Sequence, residues 1–131
     1  MHGLNATCLR YFNAAGAHHS GTLGEAHEPE THLIPKILNP GNYPSEKLKV
    51  YGDDYDTPDG TCIRDFIHVS DIAEIHFKVL QKISKFKKSK ILNCGYNKGI
   101  SVLEVANEFK KQTPKKVKIL ITKPRKGDLV K

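Results

Sequence analysis

Apolar residues change their spacing several times along the 131-residue chain, and each change marks an element. Ala6-Thr7-Cys8-Leu9-Arg10-Tyr11-Phe12 is rich in β-branched and aromatic residues and gives way to Asn13-Ala14-Ala15-Gly16, which predicts a strand running into a turn. Residues 17–30 are polar and read as a loop. Thr31 to Leu38 predicts a short helix capped by Thr31, with Pro35 early enough to be tolerated. Asn39-Pro40-Gly41-Asn42-Tyr43-Pro44 ends it. Leu48-Lys49-Val50-Tyr51 alternates and stops at Gly52, a short strand before a second polar loop over residues 53–61. Arg64 to Val69 predicts another strand. Ile72, Ile75, His76, Val79, Leu80 and Ile83 then recur at the spacing of a half-buried helix from about Asp71 to Phe86. Ser70 and Asp71 suit its positive end. Lys90 to Gly95 reads as a strand. Ser101-Val102-Leu103-Glu104 is a capping box opening a helix with the apolar stripe Val102, Val105, Ala106 and Phe109. Ile100 stands where it can staple against Val105, Pro114 closes the helix, and Val117 to Ile121 supplies a last strand before a polar tail. This succession predicts an α/β fold with a mixed small sheet, helices and long loops.

Composition narrows the function classes. The formal charge of +7 divides unevenly: residues 1–77 carry net −6 and all seven histidines, and residues 78–131 carry net +13. A half this basic could dock on a polyanion. It is almost all lysine, however, has few aromatics for base stacking, and matches no common nucleic-acid motif, so the expectation is a solvated lysine face with no nucleic-acid partner. No run of apolar residues is long enough to span a membrane, and the first residues have neither the basic nor the apolar region of a signal peptide. Cys8, Cys62 and Cys94 are odd in number and far apart, without a C-x-x-C pair. The expected compartment is the cytoplasm.

Motifs that carry chemistry are sparse. The sequence contains no G-x-G-x-x-G after a strand, no P-loop, no G-x-S-x-G and no H-E-x-x-H. The acidic stretch Asp53-Asp54-Tyr55-Asp56-Thr57-Pro58-Asp59-Gly60 is out of register for a calcium loop. His18, His19, His27 and His32 share one loop region, but none pairs at the spacing that puts two imidazoles on one helical face, so no metal site is expected. Tyr43 and Lys47 have Tyr-x-x-x-Lys spacing, yet Pro40, Gly41 and Pro44 make a loop the better reading. Arginine usage is more telling. Against eighteen lysines the chain uses only Arg10, Arg64 and Arg125, which suggests positions where a planar fork of donors matters. Spacing alone leaves two readings for Arg64 and Arg125, a bridge to a carboxylate of the same chain or a grip on a phosphate.

Leu9-Arg10-Tyr11-Phe12-Asn13-Ala14-Ala15-Gly16-Ala17-His18, Glu30-Thr31-His32-Leu33-Ile34-Pro35, Tyr51-Gly52-Asp53-Asp54-Tyr55 and Asp59-Gly60-Thr61-Cys62-Ile63-Arg64-Asp65-Phe66-Ile67-His68-Val69 closely resemble the C-terminal part of UDP-glucose 4-epimerases. Pro124-Arg125-Lys126-Gly127-Asp128 continues the resemblance, which covers nearly the whole chain. This family is of the extended short-chain dehydrogenase type. It interconverts UDP-glucose and UDP-galactose with tightly held NAD, by removing a hydride from the sugar C4 and returning it to the other face.

The resemblance implies roles by position. Asn13 contacts the UDP-sugar, with Tyr11 near the sugar and the Phe12 backbone near the nicotinamide. His32 and Leu33 contact the uridine diphosphate at a helix start, where other members carry Asn in place of His32. Lys49, Val50 and Tyr51 bracket uracil, largely through backbone groups. Arg64 and Arg125 clamp the pyrophosphate, and Asp128 accepts a ribose hydroxyl. The glycine-rich NAD loop and the family's catalytic serine or threonine, tyrosine and lysine have no counterpart in this sequence. Residues 1–131 are therefore expected to be the substrate-binding C-terminal portion without the NAD-binding Rossmann core, inactive alone, with exposed apolar surface and unpaired sheet edges. The full family works in galactose metabolism and is commonly homodimeric. Two other classes stay open: a non-enzymatic polyanion- or nucleotide-binding module, and a related sugar-nucleotide epimerase, decarboxylase or dehydratase.

Overall fold

A computed structural model of the chain describes residues 4–38, 47–114 and 117–131. Its elements are β1 (Thr7–Tyr11), β2 (Asn13–Ala15), α1 (Leu33–Leu38), β3 (Lys47–Tyr51), β4 (Ile63–His68), α2 (Val69–Lys82), β5 (Lys90–Cys94), β6 (Gly99–Ser101), α3 (Val102–Gln112) and β7 (Lys118–Thr122). They form two compact units. One comprises the described residues up to Glu25 with Asp65–Lys98, the other Ala26–Arg64 with Gly99–Lys131. The predicted break over Asn39 to Pro44, and Tyr43 of the Tyr-x-x-x-Lys pattern, lie outside the described residues.

In the first unit β1 runs parallel to β5, in register from Thr7 opposite Lys90 to Tyr11 opposite Cys94. Parallel neighbours need a long crossover, and α2 lies in the chain between them. Asn13 to Ala15, expected as a turn, instead pair in parallel with Phe66 to His68 as β2. A partner strand outside the local sequence overrides the turn preference of Asn-Ala-Ala-Gly. The helix α2 starts at Val69, before the predicted Asp71, because the His68 ring caps it: Nδ1 accepts the Ser70 N–H at 3.1 Å. It ends at Lys82, with a 3₁₀ turn over Ile83–Lys85. After β5, the Asp65 carboxylate fixes the turn by accepting the N–H groups of Tyr96 at 3.0 Å and Asn97 at 2.8 Å.

Little of this unit is buried. Ile67 and Cys94 are its only buried apolar residues among those described, and none on α2 is buried. Phe77 and Leu80 are 60% and 69% exposed. An open groove of about 590 Å³ lies between β1 and α2, lined by Leu9, Tyr11, Phe77 and Leu80 among others. This matches the expected exposed apolar surface. A sheet carrying a helix with an open apolar side is one layer short of a closed core.

The second unit has its own core. β3 runs parallel to β7, from Lys47 opposite Lys118 to Tyr51 opposite Thr122. Alternation along β3 turns Leu48 and Val50 inward and Lys47 and Lys49 outward. Leu48 and Val50 meet Ile37, Ala106 and Val117, with Leu33, Val105 and Phe109 packed at the margin. Ile37 is 2% exposed, and truncating it to alanine should cost about 2–5 kcal/mol. The helix α3 opens as predicted, with both arms of the capping box made: Glu104 N–H to Ser101 Oγ at 3.0 Å and Ser101 N–H to Glu104 Oε2 at 2.7 Å. α1 starts at Leu33, and the buried Glu30 carboxylate, not Thr31, accepts the N–H ahead of it, from His32 at 2.6 Å.

Asp59 ties the loop before β4 to the start of α3. One carboxylate oxygen accepts the Thr61 N–H at 2.9 Å and its hydroxyl at 2.8 Å, and the other accepts the Ser101 hydroxyl. Desolvation pushes the Asp59 carboxyl up, but these hydrogen bonds outweigh it and leave the group below its ordinary value. Gly60 closes the loop at φ +77°, where a Cβ would collide with the Asp53 carbonyl.

Candidate functional site

In the second unit the chain leaves β3 through Gly52, at φ +85°, where a Cβ would lie 2.6 Å from the Tyr55 ring and 3.0 Å from Pro124. This close approach brings the 124–128 loop against the end of β3. The Arg125 guanidinium lies 4.4 Å from the centroid of the Tyr51 ring, a cation–π contact. Its Nε and Nη2 donate to the two Asp128 oxygens, both at 3.0 Å. The hydrogen bond to Asp128 raises the Arg125 pKa further above its ordinary value, so this cation is permanent. For Arg125 the bridge to a carboxylate is therefore present. Arg64 differs: its Nη1 donates to backbone carbonyls, Ile63 at 2.7 Å and Leu129 at 2.8 Å. Beside it the Ile63 N–H donates to Val130 O at 2.9 Å. Both arginines thus act on one short segment, Arg125 through Asp128 and Arg64 through the next residue.

The remaining expected contacts in this unit occupy distinct environments. Val50 is 1% exposed, so its side chain belongs to the core, and its carbonyl accepts the Thr122 hydroxyl at 3.2 Å. Lys49 points outward from the same strand, and Leu33 is half-buried at the first turn of α1. His32 belongs to a cluster that linear spacing did not anticipate. Its Nδ1 lies 2.9 Å from Glu30 Oε1 and 3.2 Å from His27 Nδ1. The His32 backbone N–H is the main cause that holds the Glu30 carboxyl below its ordinary value. The spacing test for histidine pairs assumes a helix, and a folded-back loop escapes it.

In the first unit, Tyr11, Phe12 and Asn13 follow one another across the β1–β2 junction. The Tyr11 hydroxyl lies 2.7 Å from His76 Nε2, and His76 Nδ1 lies 2.9 Å from the Ile72 carbonyl. A carbonyl only accepts, so Nδ1 carries the proton and Nε2 accepts from the phenol. His76, read from sequence as one of the helix's inward positions, is thus the partner that orients Tyr11. Asn13 Nδ2 donates to the Asp65 carbonyl at 3.1 Å. The Phe12 N–H donates to Cys94 O at 3.1 Å. These residues do not make a dinucleotide cradle. The β4–α2 junction presents His68-Val69-Ser70 in place of glycines, and the His68 ring occupies the helix N-terminus that a phosphate would use.

The family model described as NAD dependent epimerase/dehydratase family matches residues 1–95. The chain belongs to this family, a class of NAD-dependent enzymes built on an α/β fold. Among its curated relatives, UDP-glucose 4-epimerase of Halalkalibacterium halodurans is 44% identical over 127 residues, covering 97% of this chain and 38% of the relative. The protein of the same name from Rhizobium meliloti is 43% identical over 126 residues, with 96% and 38% covered. The chain therefore spans under two-fifths of the relatives' length. Among solved structures, UDP-glucose 4-epimerase from Bifidobacterium longum in complex with NAD+ and UDP superposes with a TM-score of 0.88 at 39% identity, over 98% of this chain and 38% of that one. The enzyme from Stenotrophomonas maltophila with bound NAD and formylated UDP-arabinopyranose gives a TM-score of 0.89 at 40% identity, over 98% and 38%. No helix among the described residues is long and apolar enough to cross a membrane.

Proposed function

We propose that this chain is the UDP-sugar-binding portion of a UDP-glucose 4-epimerase, and that residues 1–131 do not epimerise on their own. The observation that carries this reading is the convergence of Arg64 and Arg125 on the segment ending at Leu129, beside the Tyr51 ring. Planar forks held by neighbouring carbonyls and a carboxylate suit a pyrophosphate better than flexible ammonium groups do. Asp128 then accepts from the ribose, Lys49, Val50 and Tyr51 bracket uracil, and His32 and Leu33 flank the diphosphate. The resemblance assigns Tyr11 and Asn13 to the sugar. Kinship with enzymes solved with UDP and with a UDP-sugar supports the assignment.

Bound NAD supplies the hydride acceptor at the sugar C4 in this chemistry. The residues of this chain bind and orient the nucleotide, and the resemblance assigns the Phe12 backbone a place near the nicotinamide. The open apolar face of the first unit is what a Rossmann core would cover, which supports reading residues 1–131 as the C-terminal portion of a larger fold. Under the same reading the complete enzyme is a cytoplasmic homodimer of galactose metabolism with no nucleic-acid or membrane partner.

Titration of the chain with UDP tests the binding reading. Affinity should fall at least about tenfold in Arg64→Ala and in Arg125→Ala, the loss of one charge-assisted hydrogen-bonded contact. Equal binding by wild type and both variants defeats the clamp. Incubation with NAD and UDP-galactose tests the second half, and robust turnover by this polypeptide alone overturns it.

A further inference from the structure

We propose that His27, Glu30 and His32 form a binding site for a divalent transition metal of the zinc class, formed by the loop that leads into α1. His27 Nδ1 and His32 Nδ1 lie 3.2 Å apart, and Glu30 Oε1 lies 2.9 Å from His32 Nδ1. The ligand atoms of all three lie within 4.8 Å of one another. An imidazole nitrogen carries either one proton or one lone pair. His32 Nδ1 faces a second imidazole nitrogen and a carboxylate oxygen at once. One proton on it can be shared between them, whereas a cation lets all three act as lone-pair donors.

The spacing fits such an ion. Tetrahedral zinc holds nitrogen and oxygen ligands at about 2.0–2.1 Å, which sets neighbouring ligand atoms about 3.3 Å apart. Two imidazoles and one carboxylate make a borderline donor set that suits zinc, cobalt or nickel rather than calcium or magnesium. Glu30 is 7% exposed, and its Oε1 also accepts the His32 N–H at 2.6 Å, which fixes the direction of the carboxylate. The two imidazoles are exposed, so an ion can reach them.

Metal-stripped chain is titrated with Zn²⁺ against a chromogenic chelator, and separately with Co²⁺ in the absence of nucleotide. The expected result is one equivalent taken up, with the intense visible bands of four-coordinate cobalt. His27→Gln, at an exposed position, and Glu30→Gln should each weaken uptake more than about tenfold, because even outer-shell changes cost that much. Circular dichroism checks that the variants fold. A His18→Gln, His19→Gln double variant, which alters another exposed histidine pair, should retain the full equivalent. Uptake that persists in His27→Gln, that disappears with His18 and His19, or that lacks the four-coordinate cobalt bands overturns the site. Because no UDP is present, failure here leaves the nucleotide reading intact.

Discussion

Replacing Ser101 by alanine removes one oxygen atom with two partners. Ser101 Oγ accepts the Glu104 N–H at 3.0 Å at the start of α3 and donates to the Asp59 carboxylate across the loop. Ser101 is 3% exposed, so water cannot take its place. Loss of a serine cap costs about 1 kcal/mol. A hydrogen bond to a charged group adds about 1.5–3 kcal/mol, and the lower end applies because half-buried Asp59 can turn partly to water. Ser101→Ala should therefore lower stability by about 2–3 kcal/mol, read in urea as a lower midpoint with an unchanged slope. Ser101→Gly separates the two roles, since glycine caps almost as well as serine but cannot donate to Asp59. A cycle with Asp59→Asn should reveal coupling beyond the roughly 0.5 kcal/mol expected of independent sites. The pH dependence has a definite sign. Because the folded Asp59 carboxyl titrates below its ordinary value, its contribution is complete above the unfolded pKa of about 3.9 and disappears as pH falls through the folded value. The acid limb of stability should flatten in Ser101→Ala. A loss under about 0.5 kcal/mol, or strict additivity with Asp59→Asn, would refute the hub.

Two further outcomes follow from the backbone and the surface. Gly60→Ala forces a Cβ into the Asp53 carbonyl at φ +77° and should cost more by thermal unfolding than Gly21→Ala, at φ +72° with nothing within 4 Å; equal losses would remove the steric argument. Phe77→Ser with Leu80→Gln should reduce self-association in sedimentation velocity without lowering the unfolding midpoint, because both side chains are mostly exposed, and unchanged sedimentation would show that the groove face is not the sticky one.

Elements with a local code were the legible ones. The capping box at Ser101 and Glu104 is contained in four consecutive residues, and the start of α3 falls where it predicts. The alternation of β3 is equally local. β2 was missed because Asn13 to Ala15 become a strand only through Phe66 to His68, some fifty residues away. The cap of α2 was misassigned to Ser70 and Asp71 for a related reason, since histidine is not a common cap and its role depends on ring placement. At the candidate site, scarcity of arginine pointed to Arg64 and Arg125, but spacing could not say that one meets a carboxylate and the other two carbonyls. The approach of His27 to His32 was invisible because a loop has no fixed period against which to test it.

The Arg125–Asp128 pair raises a question for an anion site, because Asp128 cancels the charge that a diphosphate would seek. Donor arithmetic resolves it. A guanidinium carries five N–H donors, and Asp128 engages two of them, leaving three for phosphate oxygens. Each Asp128 oxygen keeps a second acceptor direction, so the same carboxylate can receive a ribose hydroxyl while holding Arg125. Being partly exposed, the pair adds little stability of its own. Its effect lies in order: the long side chain is fixed between Asp128 and the Tyr51 ring before any ligand arrives, so the entropy of ordering it is not lost on binding. Arg64 complements this arrangement, since both of its bonds among the described residues run from Nη1 to neutral carbonyls rather than to a carboxylate. In the proposed clamp, one arginine would supply direction and the other net charge. A lysine at either position could not do both, because a single ammonium has no rigid fork to divide between an anchor and a ligand.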